Sequence, residues 1–470
     1  MSKLPNILWI CTDQQRFDTI RALGNPNVRT PNLDRLVDEG TAFTNAYCQS
    51  PICTPSRASF LTGMYPSSVH GATNGNEVWS GAFSLITKRL AQVGHDCGLV
   101  GKLHLAGAEG RIEPRGEDGY RVFHWSHAPR DNWPQGHAYA DWLREQGMDL
   151  SEAQESPENI PPGLHQTTWC AEKAIEFIKE ARDQPWLLSV NTFDPHPQGS
   201  TFAAPREILD RYQPDGLPGP LFHESDLAAQ AKLNKIDFQT TPRRPEDINV
   251  KEKKAAYYAM IELIDQNVGR ILDALEDTGQ REQTVVIFMS DHGEMLGDHG
   301  LLLKGCRFYE GLTRVPLIFS WLNHFEEGVV SDALVELIDI APTLLEICGV
   351  EVPARMQGRS LLPILTGASN PHQHRNAIRC EYYRALNPQS PGRSSFEGSY
   401  ATMIRDRHYK LVVYHGHEAG ELFDLYQDPG EFHNLWDDPA YSHIRFELMK
   451  QNFDALAFAV DVGPEQTRYF

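Results

Sequence analysis

Thr284-Val285-Val286-Ile287-Phe288-Met289-Ser290 is apolar along almost its whole length and runs directly into Asp291-His292-Gly293. A short run rich in β-branched and aromatic side chains favours a strand over a helix. Such a strand has no alternating polar face to turn toward water, so it belongs in a sheet covered on both sides. The preceding segment, about 253–277, places Ile261, Leu263, Ile264, Val268, Ile271 and Leu272 near one face of a long amphipathic helix. The same pairing recurs upstream. Residues 6–12 read as a buried strand ending at Thr12-Asp13, and 31–39 as a helix stopped by a C-cap at Gly40. A helix at about 82–93 ends at Gly94 before the strand 97–100, and a helix at about 167–182 leads to the strand beginning at Trp186. Alternation of this kind predicts an α/β fold with a large, mainly parallel central sheet between layers of helices.

Two stretches break the alternation. Residues 105–165 and 195–250 are rich in Pro, Gly, His, Trp and charge, and long irregular insertions of this type shape binding pockets. After residue 371 the texture changes to short alternating runs at 377–383, 400–405, 409–414 and 421–425, followed by a helix at about 441–459. The expected organisation is a catalytic α/β domain over 1–371 and a smaller α+β domain with an antiparallel sheet over 372–470.

The chain carries 43 basic and 63 acidic residues, a formal charge of −20. Such a surface repels nucleic acid and anionic membranes, so neither is an expected partner. An anionic substrate then requires a locally positive pocket. The 8 cysteines contain no Cys-x-x-Cys pair, a pattern of neither a zinc site nor a disulfide framework. The first apolar run, Ile7-Leu8-Trp9-Ile10, is too short for a signal-peptide core or a membrane span. The expected location is the cytoplasm, a removed export signal aside. A homo-oligomer is compatible with the sequence.

The chemistry-bearing residues gather at predicted strand ends. Asp13 closes the first strand and Asp291-His292 the strand that follows residue 283. Ligands of open α/β sheets collect at the carboxyl ends of strands, and two carboxylates brought together call for a cation or a shared proton. Oxygen donors suit a hard divalent ion. Lys102 and His104 follow the strand 97–100, and alternation along an extended segment would put both on one side. His196 stands between Pro195 and Pro197 after another strand. Cys53-Thr54-Pro55-Ser56-Arg57 opens a helix in which Pro55 suits the first position, Thr54 the cap, and Cys53 a place just outside the N-terminus. Unpaired N–H groups there favour an anion, and the planar fork of Arg57 suits a tetrahedral oxyanion. Met64, Met289 and Met295 read as core filling, and the acidic runs at 245–253 and 429–438 as solvated faces.

Cys53-Thr54-Pro55-Ser56-Arg57-Ala58-Ser59-Phe60-Leu61-Thr62-Gly63 resembles the signature Cys-x-Pro-Ser-Arg-x-x-x-Leu-Thr-Gly of type I sulfatases, in the alkaline phosphatase superfamily. Thr12-Asp13-Gln14-Gln15 and Ser290-Asp291-His292-Gly293-Glu294 are similar to the family's two metal motifs. Gly101-Lys102-Leu103-His104-Leu105 resembles its Gly-Lys-x-His-Leu element, and Phe193 with His196 its Pro-His motif. The segment Glu421-Leu422-Phe423-Asp424-Leu425 to Asn434-Leu435 resembles its C-terminal domain. The resemblance implies an alkaline-phosphatase-like fold and a sulfuric ester hydrolase acting on a small anionic sulfate ester. It implies that Cys53 is converted by a formylglycine-generating or sulfatase-maturating enzyme to formylglycine, whose hydrated aldehyde is the nucleophile. Asp13, Gln14, Cys53, Asp291 and His292 would hold one divalent cation, calcium first, with manganese and magnesium open. Lys102, His196 and Lys304, the last lying 304 − 291 = 13 residues after Asp291, would bind sulfate, with Asn74 a further substrate contact against which Asn76 competes. Arg57 would offset charge, His104 would assist collapse of the covalent intermediate, and His196 or Lys304 would serve the leaving alcohol. Many sulfatases carry paired acids at the first motif and Asp-Asn at the second. The Asp-Gln and Asp-His found here also occur in choline-sulfatase-like and phosphonate-monoester-hydrolase-like members, so a phosphonate monoester or phosphodiester hydrolase is the alternative reading.

Overall fold

The strand at 284–290 is buried throughout because its neighbours cover both faces. It pairs in parallel with Asn6–Asp13 on one side and antiparallel with Leu317–Ser320 on the other. The computed structural model describes residues 4–108, 111–129, 136–199, 201–386 and 398–460. Across the main sheet the strands follow the order Val329–Ser331, Thr41–Phe43, Leu317–Ser320, Thr284–Ser290, Asn6–Asp13, Trp186–Pro195, Asp96–Gly101, Val122–Trp125. Only Leu317–Ser320 runs against the others. The predicted mixed, mainly parallel sheet is therefore present.

Adjacent residues of the central strands enter opposite cores. Ile7, Trp9, Val285, Ile287 and Met289 pack with Phe60, Leu90 and Leu344. Leu8, Ile10, Val286 and Phe288 pack with Leu36, Trp169, Phe177 and Leu272. The helix Cys53–Thr62 belongs to the first layer; Gln166–Lys179 and Val250–Asp277 belong to the second. Each fully buried aliphatic side chain in these layers contributes roughly 1.5–3 kcal/mol relative to exposure, which makes the sandwich a stiff mount for residues at its strand ends. A separate antiparallel sheet follows, Ala377–Tyr383, Tyr400–Asp406, Tyr409–Tyr414 and Gly420–Asp424, with the helix Ser442–Phe458. Ile378, Cys380, Met403 and Val412 of that sheet share a core with Tyr47, Ile52, Ile236 and Phe308. No helix among the described residues is long and apolar enough to cross a membrane.

Several expectations are corrected. Gly40 is not a left-handed cap: the helix Pro31–Asp38 is capped by Glu39, and a Cβ on Gly40 would lie 2.2 Å from the Phe319 carbonyl oxygen. Close approach to the antiparallel strand requires the glycine. The helix expected at 82–93 spans Ile86–Gln92. The helix at 167–182 ends at Lys179, because Glu180 is extended. The first irregular insertion supplies the edge strand Val122–Trp125 and the helix Ala138–Glu145. The 429–438 run is not wholly solvated, since Glu431 is buried against Lys410 at 2.7 Å. Met64, Met289 and Met295 are core residues as read, and all eight cysteines are buried and none forms a disulfide.

Candidate active site

The carboxyl ends of three parallel strands and the start of one helix converge on Cys53. Asp13 ends the first strand, Asp291-His292 follow Thr284–Ser290, and Lys102 follows Asp96–Gly101. Cys53 is the first residue of its helix rather than just outside it; Ile52 is the extended N-cap and Thr54 makes no capping bond. The N–H of Thr54 is instead taken by the side-chain oxygen of Asn74 at 2.9 Å. The helix closes at Gly63, at φ 70°, where a Cβ would stand 2.8 Å from the Met356 side chain. The terminal glycine of the motif thus meets a backbone and a packing requirement together.

The Cys53 thiol donates to Asp13 Oδ1 at 3.6 Å and lies 3.1 Å from His292 Nε2. Lys304 donates to Gln14 Oε1 at 2.7 Å, the Cys53 sulfur at 3.0 Å and His292 Nε2 at 3.1 Å. Burial and Asp13 oppose a thiolate at Cys53, but Lys102, Lys304 and His292 outweigh them and lower its pKa. Burial pushes the thiols of Cys11, Cys97, Cys170, Cys348 and Cys380 the other way. Asp13 is held well below the usual carboxylate range: burial raises it, and Lys102, His196, Lys304 and Arg57 more than reverse that. Lys102 binds Asp13 directly through its ammonium group.

Ligand atoms of Asp13, Cys53, Asp291 and His292 lie within 4.8 Å of one another. His292 Nδ1 faces the Gly293 carbonyl at 2.9 Å. A carbonyl only accepts, so Nδ1 carries the proton and Nε2 presents its lone pair to the cluster. Gln14, at φ 71°, donates its amide N–H to Glu294, which turns Oε1 toward Lys304. Burial and Lys304 depress the His292 pKa, yet Asp291 and Cys53 raise it further, a preference for positive charge that a divalent ion on Nε2 also satisfies. Two carboxylates, one imidazole lone pair and one amide oxygen, already gathered around the Lys304 charge, fit a divalent cation.

Arg57 does not face the site as an oxyanion fork. Its Nε donates to Asp291 Oδ2 at 2.9 Å and Nη1 to the Lys102 carbonyl at 3.0 Å, while Nη2 stands 3.8 Å from Asp13 Oδ2. It is a buried brace for Asp291 and the Lys102 loop. Ser56 Oγ donates to the Asp291 carbonyl at 2.5 Å, so the motif's serine and arginine clamp the second metal motif from its two sides.

Lys102 and His104 do share the pocket, but not by strand alternation, since His104 has φ 58°. Its ring packs edge-on against His127, with centroids 4.4 Å apart. Burial, then Lys102, His127 and Arg57, hold His104 well below its usual pKa, leaving a neutral base. His196 Nδ1 faces the Pro197 carbonyl at 2.7 Å, and its ring lies 4.6 Å from Phe193. Burial and Lys304 lower its pKa, with Lys102 acting in the same direction and Asp13 against it. Sequence reasoning missed Glu294 as the group that orients Gln14, and did not foresee that the Asn74 oxygen serves the helix start.

A reactive thiol at a helix start, set among acids, lysines and an oriented imidazole on a doubly covered sheet, defines a hydrolase of alkaline-phosphatase-like architecture. The sulfatase profile matches residues 5–350, and that of the N-sulphoglucosamine sulphohydrolase C-terminal region matches 297–457. An arylsulfatase of Clostridium perfringens is 32% identical over 95% of this chain and 94% of its own length. A multifunctional alkaline phosphatase superfamily protein, PehA, of Trinickia caryophylli is 31% identical over 93% and 92%. The crystal structure of a phosphonate monoester hydrolase of Agrobacterium radiobacter superposes with a TM-score of 0.80 at 26% identity, covering 97% of this chain and 96% of that one. The chain belongs to the sulfatase family, and so to the sulfuric ester hydrolases of the alkaline phosphatase superfamily.

Proposed function

We propose that the protein hydrolyses a sulfate monoester to an alcohol or phenol and sulfate, using formylglycine made from Cys53 by a maturating enzyme. The convergence of Lys304, His292 and Asp13 on the Cys53 side chain carries this reading. Asp13, Gln14, Asp291 and His292 would hold one divalent cation. When bound, such an ion would favour the ionised nucleophile and neutralise sulfate charge. Lys102 and Lys304 offset the charge of the sulfonyl oxygens. The Lys304 ammonium supplies a proton to the leaving oxygen, since His196 is neutral with its proton on Nδ1 toward the Pro197 carbonyl, and the neutral His104 ring accepts one from the nucleophile's remaining hydroxyl.

Imidazole in place of the commoner Asn at the second motif favours manganese over the first expectation of calcium, because nitrogen donors suit transition ions better than hard alkaline-earth ions. The Asp-Gln and Asp-His variants, with the likeness to a phosphonate monoester hydrolase, also support activity on phosphonate monoesters or phosphodiesters. Lys102 and His104 favour the sulfate ester as the better substrate.

Two measurements test the proposal. Mass analysis of the Cys53 peptide should show a loss of about 18 Da for the aldehyde, whereas sulfenic oxidation adds mass. A panel of aryl, choline and carbohydrate sulfates with an aryl phosphonate monoester should give the highest kcat/KM on a sulfate. An unmodified Cys53 in fully active enzyme, full turnover in Cys53→Ala, or a phosphonate preference would overturn it.

A further inference from the structure

The first irregular insertion returns a carboxylate beneath the Lys102–His104 turn. Glu113 is 2% exposed and accepts hydrogen bonds from three successive backbone N–H groups: His104 at 2.7 Å, Leu105 at 2.5 Å and Ala106 at 2.9 Å. Trp125 Nε1 adds a fourth at 3.3 Å. Three consecutive N–H groups pointing to one side form a concave nest that binds an anion. Here the anion is a side chain of the same protein.

The nest fixes a conformation that the sequence does not favour. His104 has φ 58°, a left-handed state that crowds the Cβ of an L-residue against its own backbone and is therefore disfavoured. The chain can hold it only if other contacts over-determine it. Gly101, at φ 99°, anchors the other end of the turn: a Cβ there would stand 1.9 Å from the Asn191 carbonyl oxygen, and Lys102 N donates to that oxygen at 3.0 Å. Arg57 takes the Lys102 carbonyl. Between these anchors and Glu113 the backbone bearing both Lys102 and His104 is held at each end.

We propose that Glu113 is a positioning residue for the reaction, its buried carboxylate holding the left-handed turn that aims the His104 imidazole into the site. The inference rests on the role given to His104 under the proposed function. Glu113 touches neither substrate nor nucleophile; it acts through the backbone of residues 104–106.

A double-mutant cycle separates this role from a general loss of fold. Glu113→Gln retains the volume and replaces one accepting oxygen by an NH2 that faces the nest. Displacing a catalytic group by about 1 Å costs on the order of a hundredfold in rate. On the best sulfate ester, Glu113→Gln should therefore lower kcat by roughly ten- to a hundredfold with KM within about twofold. Alcohol release should show a burst that outruns sulfate release, as in His104→Ala. Adding Glu113→Gln to His104→Ala should cost no further activity. Equal losses in both backgrounds would show a merely structural role and overturn the proposal, as would wild-type kcat in Glu113→Gln. Full activity in His104→Ala would instead overturn the role of His104 itself. Should Glu113→Gln fail to fold, Glu113→Asp, which retains the charge but draws it back by one methylene, reads the same kcat and burst.

Discussion

Lys304 Nζ stands 3.0 Å from the Cys53 sulfur although 251 residues separate them along the chain. The same ammonium group reaches Gln14 and His292, so one buried positive charge ties together a helix start and the ends of two neighbouring strands. Lys102 does the same for Asp13 from the other side. A charge of −20 over the whole protein is thus reversed locally, which lets a sulfate ester enter a pocket that also contains two carboxylates.

Asn74 serves the helix that carries Cys53. Asn74→Ala should lower the unfolding free energy by about 1 kcal/mol, the usual effect of losing a cap acceptor. Asn74→Asp retains the oxygen that accepts from Thr54 and should unfold close to wild type, while its charge raises KM for the sulfate ester several-fold. Urea melts and steady-state kinetics on both variants check this; wild-type stability in Asn74→Ala would remove the capping role.

Arg57 neutralises Asp291 in a site closed to water, both side chains being at most 1% exposed. Removing one partner of such a pair leaves an uncompensated buried charge, which costs about 3–5 kcal/mol. Arg57→Met should show a loss of that size in urea unfolding and lose bound metal as Asp291 drifts. Arg57→Lys should lose less stability, since a point charge replaces only part of the fork.

Treatment with a chelator should abolish turnover and lower Tm, and a divalent ion should restore both. Manganese is expected to restore more activity than calcium to the wild type. In His292→Asn, whose oxygen donor suits a harder ion, that order should reverse. Metal analysis of the purified protein and activity titrations decide the matter, and an unchanged order would argue against His292 as a ligand.

His137 ties stability to pH. Burial, then Arg144, lowers its pKa from 6.5 to about 3, while Gln166 donates to Ser126, leaving the Ser126 hydroxyl to donate to His137 Nε2 at 2.8 Å. The unfolded chain binds a proton near pH 6.5 and the folded chain does not, so the folded state is favoured above that pH. This contribution is lost as pH falls toward about 3, at up to about 1.4 kcal/mol per unit. His137→Gln should flatten the dependence of unfolding free energy on pH between about 6.5 and 4 relative to wild type. Urea midpoints across that range test it, and identical slopes would exclude His137 as the source.

The sheet was legible in the sequence because burial on both faces leaves a continuous apolar run, as at 284–290, and long helices repeat their apolar face many times. Element ends were less legible. Gly40 reads as a helix stop, yet what it answers is the Phe319 carbonyl, a neighbour almost three hundred residues away in sequence. The edge strand Val122–Trp125 has too few residues to show a period.

Within the site, residue types and local order already marked Cys53, Asp13, Asp291, His292, Lys102, His104, His196 and Lys304, because metal and anion chemistry restricts the side chains that can take part. Their division of labour came only with the fold. Arg57 turned from the anion to Asp291, Asn74 became the acceptor for the Thr54 N–H, and Glu294 and Glu113 emerged as the groups that orient Gln14 and the His104 turn. A carboxylate that accepts backbone N–H groups across a closed loop leaves no local pattern, since its partners are chosen by where the chain returns in space. The sequence by itself determined which chemistry the protein can perform; the tertiary structure decided which atoms face one another to perform it, because distance and orientation are properties of the folded chain alone.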